Sequence, residues 1–255
     1  MLLFKSHLHN DKITGDSAKL LITHRLYDMS HMNDYYEEKL SAERLELCYE
    51  IATQRIRQYL EAELSFVLDR INPGDLVLEL GCGYGRIIPA LAKKARCVVG
   101  IDKSIRSLLY GQKLLCRTSN FLLIQMDASH LSFFDDTFDV VVCIQNGISA
   151  FHINQDHLIR ESIRVTKRGG TILFSSYSDK FWEYRLEWFR RQSEAGLLGE
   201  IDFDKTRDGI IVCKDGFTAT TVGRDRFLEL TSALSVDTMI VEVDESALFC
   251  VMVVR

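Results

Sequence analysis

Between Leu76 and Ser175 the chain alternates five short apolar runs with helical segments, and this rhythm restricts the fold more than any other feature of the sequence. The runs are Leu76–Leu80 (LVLEL), Cys97–Ile101 (CVVGI), Phe121–Gln125 (FLLIQ), Phe138–Ile144 (FDVVVCI) and Gly170–Ser175 (GTILFS). Short runs that are apolar on both faces read as buried parallel strands. Helical segments follow near Arg86–Ala95, Ile105–Cys116 and Gln155–Val165. Strands alternating with helices of that length argue repeated βαβ units. Right-handed crossovers then place helices on both faces of a doubly wound sheet. Val236–Val243 and Ala247–Val254, joined by a short acidic turn, add an antiparallel hairpin. The expected fold is therefore α/β, with five parallel strands and a C-terminal hairpin.

The remaining segments divide around that core. Residues 1–40 show little periodicity and read as an N-terminal lid segment, irregular or loosely helical. A helical pattern starts at Ser41, a candidate N-cap, and runs to Leu68 before Asn72–Pro73–Gly74 stops it. Residues 41–176 form the core. Residues 177–222 read as an inserted cap, with an aromatic helix over Tyr177–Gly196 and a hairpin pairing Gly209–Cys213 with Phe217–Thr221. Residues 223–255, a helix near Arg224–Leu234 and the terminal hairpin, complete the core. Both added segments are aromatic: Tyr27, Tyr35 and Tyr36 in the first, Phe181, Trp182, Tyr184, Trp188 and Phe189 in the second. They are expected to meet over the carboxyl ends of the strands, where open α/β sheets bind ligands.

Composition removes several functional classes. The formal charge of −5 carries no basic footprint of a nucleic-acid binder. No stretch approaches the roughly 18 apolar residues of a membrane span, and the start, MLLFKSHLHNDK, is too polar for a signal peptide. The seven cysteines are odd in number, scattered and without a CxxC pair, which favours a reducing cytoplasm. His7, His9, His24 and His31 cluster near the N-terminus but match no zinc spacing. No metal is expected.

The chemistry gathers at three strand ends. The first strand runs into VLELGCGYGR, where Gly81, Gly83 and Gly85 form GxGxG and Glu79 precedes them. Glycines accept positive φ and let a backbone approach a ligand closely. A dinucleotide site would want a third glycine where Arg86 stands. Burying Glu79 costs free energy unless it meets donors or a cation; a ligand bearing an ammonium and a sulfonium supplies that reason, and a pyrophosphate does not. Asp102 ends the second run (VVGIDKS) about 20 residues after Gly81, the spacing at which a carboxylate meets ribose hydroxyls. Asp102 or Ser104 can also cap the next helix. Asp127 and Ala128 close the third run (QMDASHL), where an adenine amino group finds an acceptor; an Asx-turn is the alternative for Asp127.

Together these motifs resemble the class I S-adenosylmethionine-dependent methyltransferases, more loosely their small-molecule branch, with a Rossmann-like core. VLELGCGYGR resembles that family's glycine-rich motif, VVGIDKS its second, MDASHLSFFDDTFDVVVC its third and fourth, and RVTKRGGTILFSSY the fifth-strand segment. The resemblance covers about Ile71–Tyr177. It implies S-adenosyl-L-methionine as cofactor, with Gly81 and Gly83 under the methionine part and Glu79 fixing that loop or the ammonium. It implies further that Asp102 holds the ribose, that Lys103, Asp127 and Ala128 surround the adenine, and that Gln145 lies near the sulfonium. The fourth-strand loop, CIQNGISAF, lacks the Asn/Asp-Pro-Pro-aromatic motif of amino-methylating nucleic-acid enzymes. It offers only Asn146 to a metal.

The implied reaction is in-line methyl transfer to a small-molecule acceptor by a monomer or homodimer, without nucleic-acid or membrane partners. A methyltransferase acting on protein or RNA, or a non-catalytic binder of the cofactor, are the alternatives. A general base is needed only for an acceptor that loses its proton late. Weak candidates are His152, after the fourth strand, and Tyr177, after the fifth; loop, capping or packing roles compete for both.

Overall fold

Each of the five apolar runs is a strand. The computed structural model describes residues 20–22, 35 and 39–255. Its elements are β1 (Leu20–Ile22), α1 (Glu43–Glu50), α2 (Gln54–Leu68), β2 (Leu76–Leu80), α3 (Ile88–Lys94), β3 (Cys97–Asp102), α4 (Ile105–Leu114) and β4 (Phe121–Gln125). Then come β5 (Phe138–Cys143), α5 (Gly147–Ala150), α6 (Gln155–Val165), β6 (Thr166–Tyr177), a 3-10 turn (Asp179–Phe181) and α7 (Trp182–Glu194). The chain closes with β7 (Ile211–Val212), β8 (Thr218–Ala219), α8 (Arg224–Thr231), β9 (Val236–Val243) and β10 (Ala247–Val254).

Among the described residues the main sheet has the order β1-β4-β3-β2-β5-β6-β10-β9. The first six strands in that order are parallel and the last two antiparallel. The order reverses at β2, so the crevice at the carboxyl ends of β2 and its neighbours is a topological switch point.

Strand alternation sorts side chains onto two cores. Val77, Val98, Val142 and Leu173 face a layer built by α2, α3 and α4. Leu78, Val99, Val141 and Phe174 face the opposite layer, with Leu158 and Ile159 of α6 and Phe227 of α8. Glu79 shares its strand face with Val77 and so points toward α2 and α3, a placement that decides its environment.

Three expectations are revised. The sheet has six parallel strands rather than five, because Leu20–Ile22 in the presumed lid pairs in parallel with Leu123–Gln125 at the edge. A three-residue run without alternation carries too little signal, and only the open edge of β4 makes it a strand. The helix expected from Ser41 is two helices. Ala42 takes φ 54° with no side-chain cap, and α2 begins afresh with Thr53 accepting from the Ile56 amide. The fifth run extends back to Thr166 through a register shift between Phe138 and Val140.

The cap has its own small core, formed by Phe189, Leu197, Ile211 and Phe217 with Leu40 and Cys48. Tyr35 joins it, donating a 2.7 Å hydrogen bond to Asp215 and packing 4.9 Å from the Phe217 ring. Tyr35, Lys39 and Leu40 thus contact the 177–222 segment, Lys39 lying 3.0 Å from Asp215. Tyr27, Tyr36, His7, His9, His24 and His31 lie outside the described residues.

Candidate active site

The β2 strand ends in a loop that only glycines satisfy. Gly81 and Gly83 have φ of 69° and 55°. A Cβ on Gly81 would enter the Phe151 ring, and one on Gly83 would come within 2.9 Å of Leu45. Below the loop, Gly111 in α4 lets Tyr84 pass; a Cβ there would strike the Tyr84 backbone carbonyl.

Asp102, at the end of β3, braces this loop. One carboxylate oxygen accepts from the Gly83 amide at 2.8 Å and the other from the Ser104 amide at 2.8 Å. Ser104 itself caps α4 by accepting from Ser107. The two readings of this turn therefore coexist: Ser104 caps, and Asp102 faces the cleft.

Asp127, after β4, accepts from the Ser129 amide at 2.8 Å and its hydroxyl at 2.7 Å, and Lys103 sits 3.1 Å away. Burial opposes its ionisation, but the Ser129 hydrogen bonds and Lys103 outweigh that and hold its carboxyl below its ordinary value. The Asx-turn is real, and Asp127 still lines the cleft beside Ala128.

Glu79 is 7 % exposed and one of its oxygens, Oε2, is buried with no hydrogen-bond partner. Burial pushes its carboxyl up to about 8; Arg86 pulls it down and Asp102 adds to the rise. A buried acceptor without a donor costs roughly 1–3 kcal/mol, more when charged.

Sequence reasoning missed a second buried acid. Glu63 of α2 is fully buried, and its Oε1 accepts from the Ser175 hydroxyl and from the Gln145 amide at 3.1 Å. Burial raises its carboxyl to about 7 against those two donors. The signal was available: Glu63 falls within the apolar stripe of Tyr59, Leu60 and Val67, where a solvated acid has no place.

By holding Gln145, Glu63 shapes the loop after β5. Gln145 and Asn146 both take left-handed φ, 55° and 61°, which costs a non-glycine residue about 1 kcal/mol or more and marks an over-determined position. Tyr49 donates to Gln145 Oε1 at 2.7 Å, while Gln145 Nε2 is buried with no partner. Asn146 accepts from Ser176 at 2.8 Å and donates to the Thr220 carbonyl at 2.7 Å, tying the loop to β6 and the cap.

One cleft receives these groups. Gly81, Gly83, Asp102, Lys103, Asp127, Ala128 and Gln145 all line it, and Glu79 lines an adjoining pocket that shares Gly81, Gly83 and Gln145. The two base candidates separate. Tyr177 lines the cleft, buried, its hydroxyl pushed well up by burial. His152 is exposed at φ 52° and lines neither pocket, so the turn after α5 carries it away from the site. Among the described residues no three His, Cys, Asp or Glu side chains group as metal ligands, and no helix is long and apolar enough to cross a membrane.

Residues 77–170 match the family model of a methyltransferase domain. A demethylmenaquinone methyltransferase of Mycobacterium marinum is 34% identical over 110 residues, covering 43% of this chain and 44% of that protein. The chain thus spans less than half the length of that curated relative. Among solved structures, the PH0226 protein from Pyrococcus horikoshii superposes with a TM-score of 0.60 at 21% identity, over 88% of this chain and 100% of that one. The N-methyltransferase NodS of Bradyrhizobium japonicum, solved with S-adenosyl-L-homocysteine, gives 0.54 at 18%, over 87% and 98%. These structures share the fold.

Proposed function

We propose that this chain, whose residues 77–170 match a methyltransferase domain, is a class I S-adenosylmethionine-dependent methyltransferase that binds S-adenosyl-L-methionine in this cleft and transfers the methyl group to a small-molecule acceptor. The observation that carries the reading is Glu79: a buried carboxyl group with an unpartnered oxygen, lining a pocket together with the backbone of Gly81 and Gly83. An ammonium-bearing ligand is what that oxygen lacks. Asp102 lines the cleft as an acceptor for ribose hydroxyls, and Asp127, Ala128 and Lys103 line it on the side proposed for the adenine.

The cofactor, when bound, supplies an activated methyl carbon on a sulfonium. The residues of the chain hold and orient. Glu79 and the glycine loop fix one end, Asp102 and Asp127 the other, and the Glu63–Gln145–Tyr49 chain holds the middle of the cleft rigid. The cap encloses the acceptor side and excludes water. Alignment of this kind supplies several kcal/mol without a general base.

Calorimetry with S-adenosyl-L-homocysteine and NAD side by side tests the reading: the first is expected to bind and the second to give no heat. NAD binding with no response to the sulfur cofactor would sink it. Release of S-adenosylhomocysteine across an acceptor panel separates turnover from simple binding.

Asp102→Ala is expected to weaken binding by about 1.5–3 kcal/mol, the range for a hydrogen bond to a charged group. Unchanged affinity would remove Asp102 from the site.

The raised carboxyl of Glu79 predicts a proton balance. In the free protein it holds its proton below about pH 8. An ammonium beside it favours the carboxylate, so binding at pH 6–7.5 should release close to one proton. Affinity should then rise up to about tenfold per pH unit and level off above about 8. Titrations in two buffers of different ionisation enthalpy measure the released proton directly; none released in this window contradicts the pairing.

A further inference from the structure

The acceptor side of the cleft is built differently from the cofactor side. Its wall is α7, where Trp188 and Gln192 stand four residues apart and Phe189 and Gln192 three apart, on one helical face. Rings continue the wall: Tyr49 lies 6.1 Å from Trp188, Trp188 6.3 Å from Phe189, and Phe189 5.9 Å from Phe217. Tilted and edge-on rings at these separations receive another flat ring by offset stacking.

Charge is confined to the other end. Among the described residues, the charged side chains lining the cleft are Asp102, Lys103 and Asp127, all at the ends of β3 and β4. A charged acceptor against the ring wall would lose hydration with no charged side chain lining that wall to pair with it, which is costly. Arg185 does not line the cleft: its buried guanidinium, 4.7 Å from the Tyr177 ring and 5.4 Å from Phe189, donates to the Gly209 and Thr220 carbonyls, and its charge adds a specific penalty for a cation there.

Gln192 is the exception within this apolar wall. It is 5 % exposed and lines the cleft, and its side-chain amide makes no hydrogen bond among the described residues, although its backbone carbonyl accepts from Leu197. An amide that lines an apolar cleft can pair with a ligand hydroxyl or carbonyl seated there.

Building on the methyl-transfer reading, we infer that the acceptor is an uncharged planar molecule, stacked on the rings of α7, bearing a hydroxyl or carbonyl that the Gln192 amide reads. Gln192 is then a specificity-determining residue, and its partner on the acceptor is a neutral polar group.

The test uses the full chain saturated with S-adenosyl-L-homocysteine and four two-ring probes: naphthalene, 2-naphthol, 2-naphthoate and 2-naphthylmethylammonium. Binding is read by calorimetry and by quenching of Trp188, one of the two tryptophans. The neutral alcohol is expected to bind at least about tenfold tighter than either ion. Gln192→Leu should cut 2-naphthol affinity about tenfold and leave naphthalene unchanged. The ratio of the two probes, measured on the same sample, is insensitive to a partly unfolded variant. An ion binding as tightly as the alcohol overturns the inference. So does an equal loss for both neutral probes in the variant, or no naphthol binding to protein that holds S-adenosylhomocysteine. Failure of S-adenosylhomocysteine itself to bind overturns the cofactor reading instead, and this inference with it.

Discussion

Glu79→Gln is expected to weaken S-adenosylhomocysteine binding by about 2–4 kcal/mol, roughly 30- to 1000-fold. The substitution keeps the shape of the side chain and removes only its ability to become an anion. A buried charge pair loses this much when one partner is taken away, because the other is left desolvated and unmatched. The free protein should respond in the opposite direction. In the unfolded chain the carboxyl titrates near ~4.3, and in the fold near about 8. Between those values the folded wild type binds more protons than the unfolded chain, so its stability falls as pH rises through the window. Glutamine does not titrate. The Tm of the variant should therefore gain on that of wild type as pH goes from 5 to 8.5, while its affinity for the cofactor product stays low. The proton released on binding should vanish as well. A variant that binds as tightly as wild type, or that loses stability relative to it with rising pH, would show that Glu79 does not meet the ligand.

Gly111→Ala should destabilise the protein by about 1–3 kcal/mol, the usual cost of overpacking, or roughly 2–10 °C in Tm for a domain of this size. Helix propensity alone predicts the reverse, a gain of about 1 kcal/mol for alanine over glycine in a helix interior. The difference lies in what the methyl meets. A Cβ on Gly111 would fall within contact distance of the Tyr84 carbonyl oxygen, 2.8 Å from its carbon and 3.1 Å from its Cα, all backbone atoms that cannot rotate away. Tyr84 belongs to the glycine loop, so the displacement should also lower cofactor affinity. Gly74, with nothing within 4 Å of its added Cβ, is the control and should stay within about 0.5 kcal/mol. A Gly111→Ala protein that melts higher than wild type would refute the close approach.

Much of this molecule follows from local pattern. Leu76–Leu80, Phe121–Gln125, Val236–Val243 and Ala247–Val254 are strands with the boundaries the sequence implies; the Leu76–Leu80 run is apolar on both faces because it is buried throughout, whereas the edge strand Val236–Val243 has exposed residues. Glu79, Asp102 and Asp127 were legible for a related reason. In a parallel sheet the carboxyl ends of neighbouring strands converge, so chemistry placed just after successive runs gathers in one crevice. The Val236–Val254 hairpin was equally readable, since its strands need only a short turn between them.

What local pattern could not decide depends on partners distant in the chain. Leu20–Ile22 is a strand only because β4 has an open edge. Ser41 does not cap, because Leu40 and Cys48 are drawn into the core of the cap and the backbone turns at Ala42 to deliver them. His152 follows the β5 loop in sequence yet is exposed outside the cleft, since a left-handed residue redirects the chain there. Glu63 reaches the site across 82 residues, from α2 to the Gln145 amide, and Gly111 matters through Tyr84, a contact no helical periodicity encodes. Apolar spacing is a property of neighbours along the chain, and it determined the strands and the side of the cleft built from the ends of β2, β3 and β4. Which side chains face one another across the layers is a property of packing, and packing alone placed Glu63, Gln192 and the ring wall.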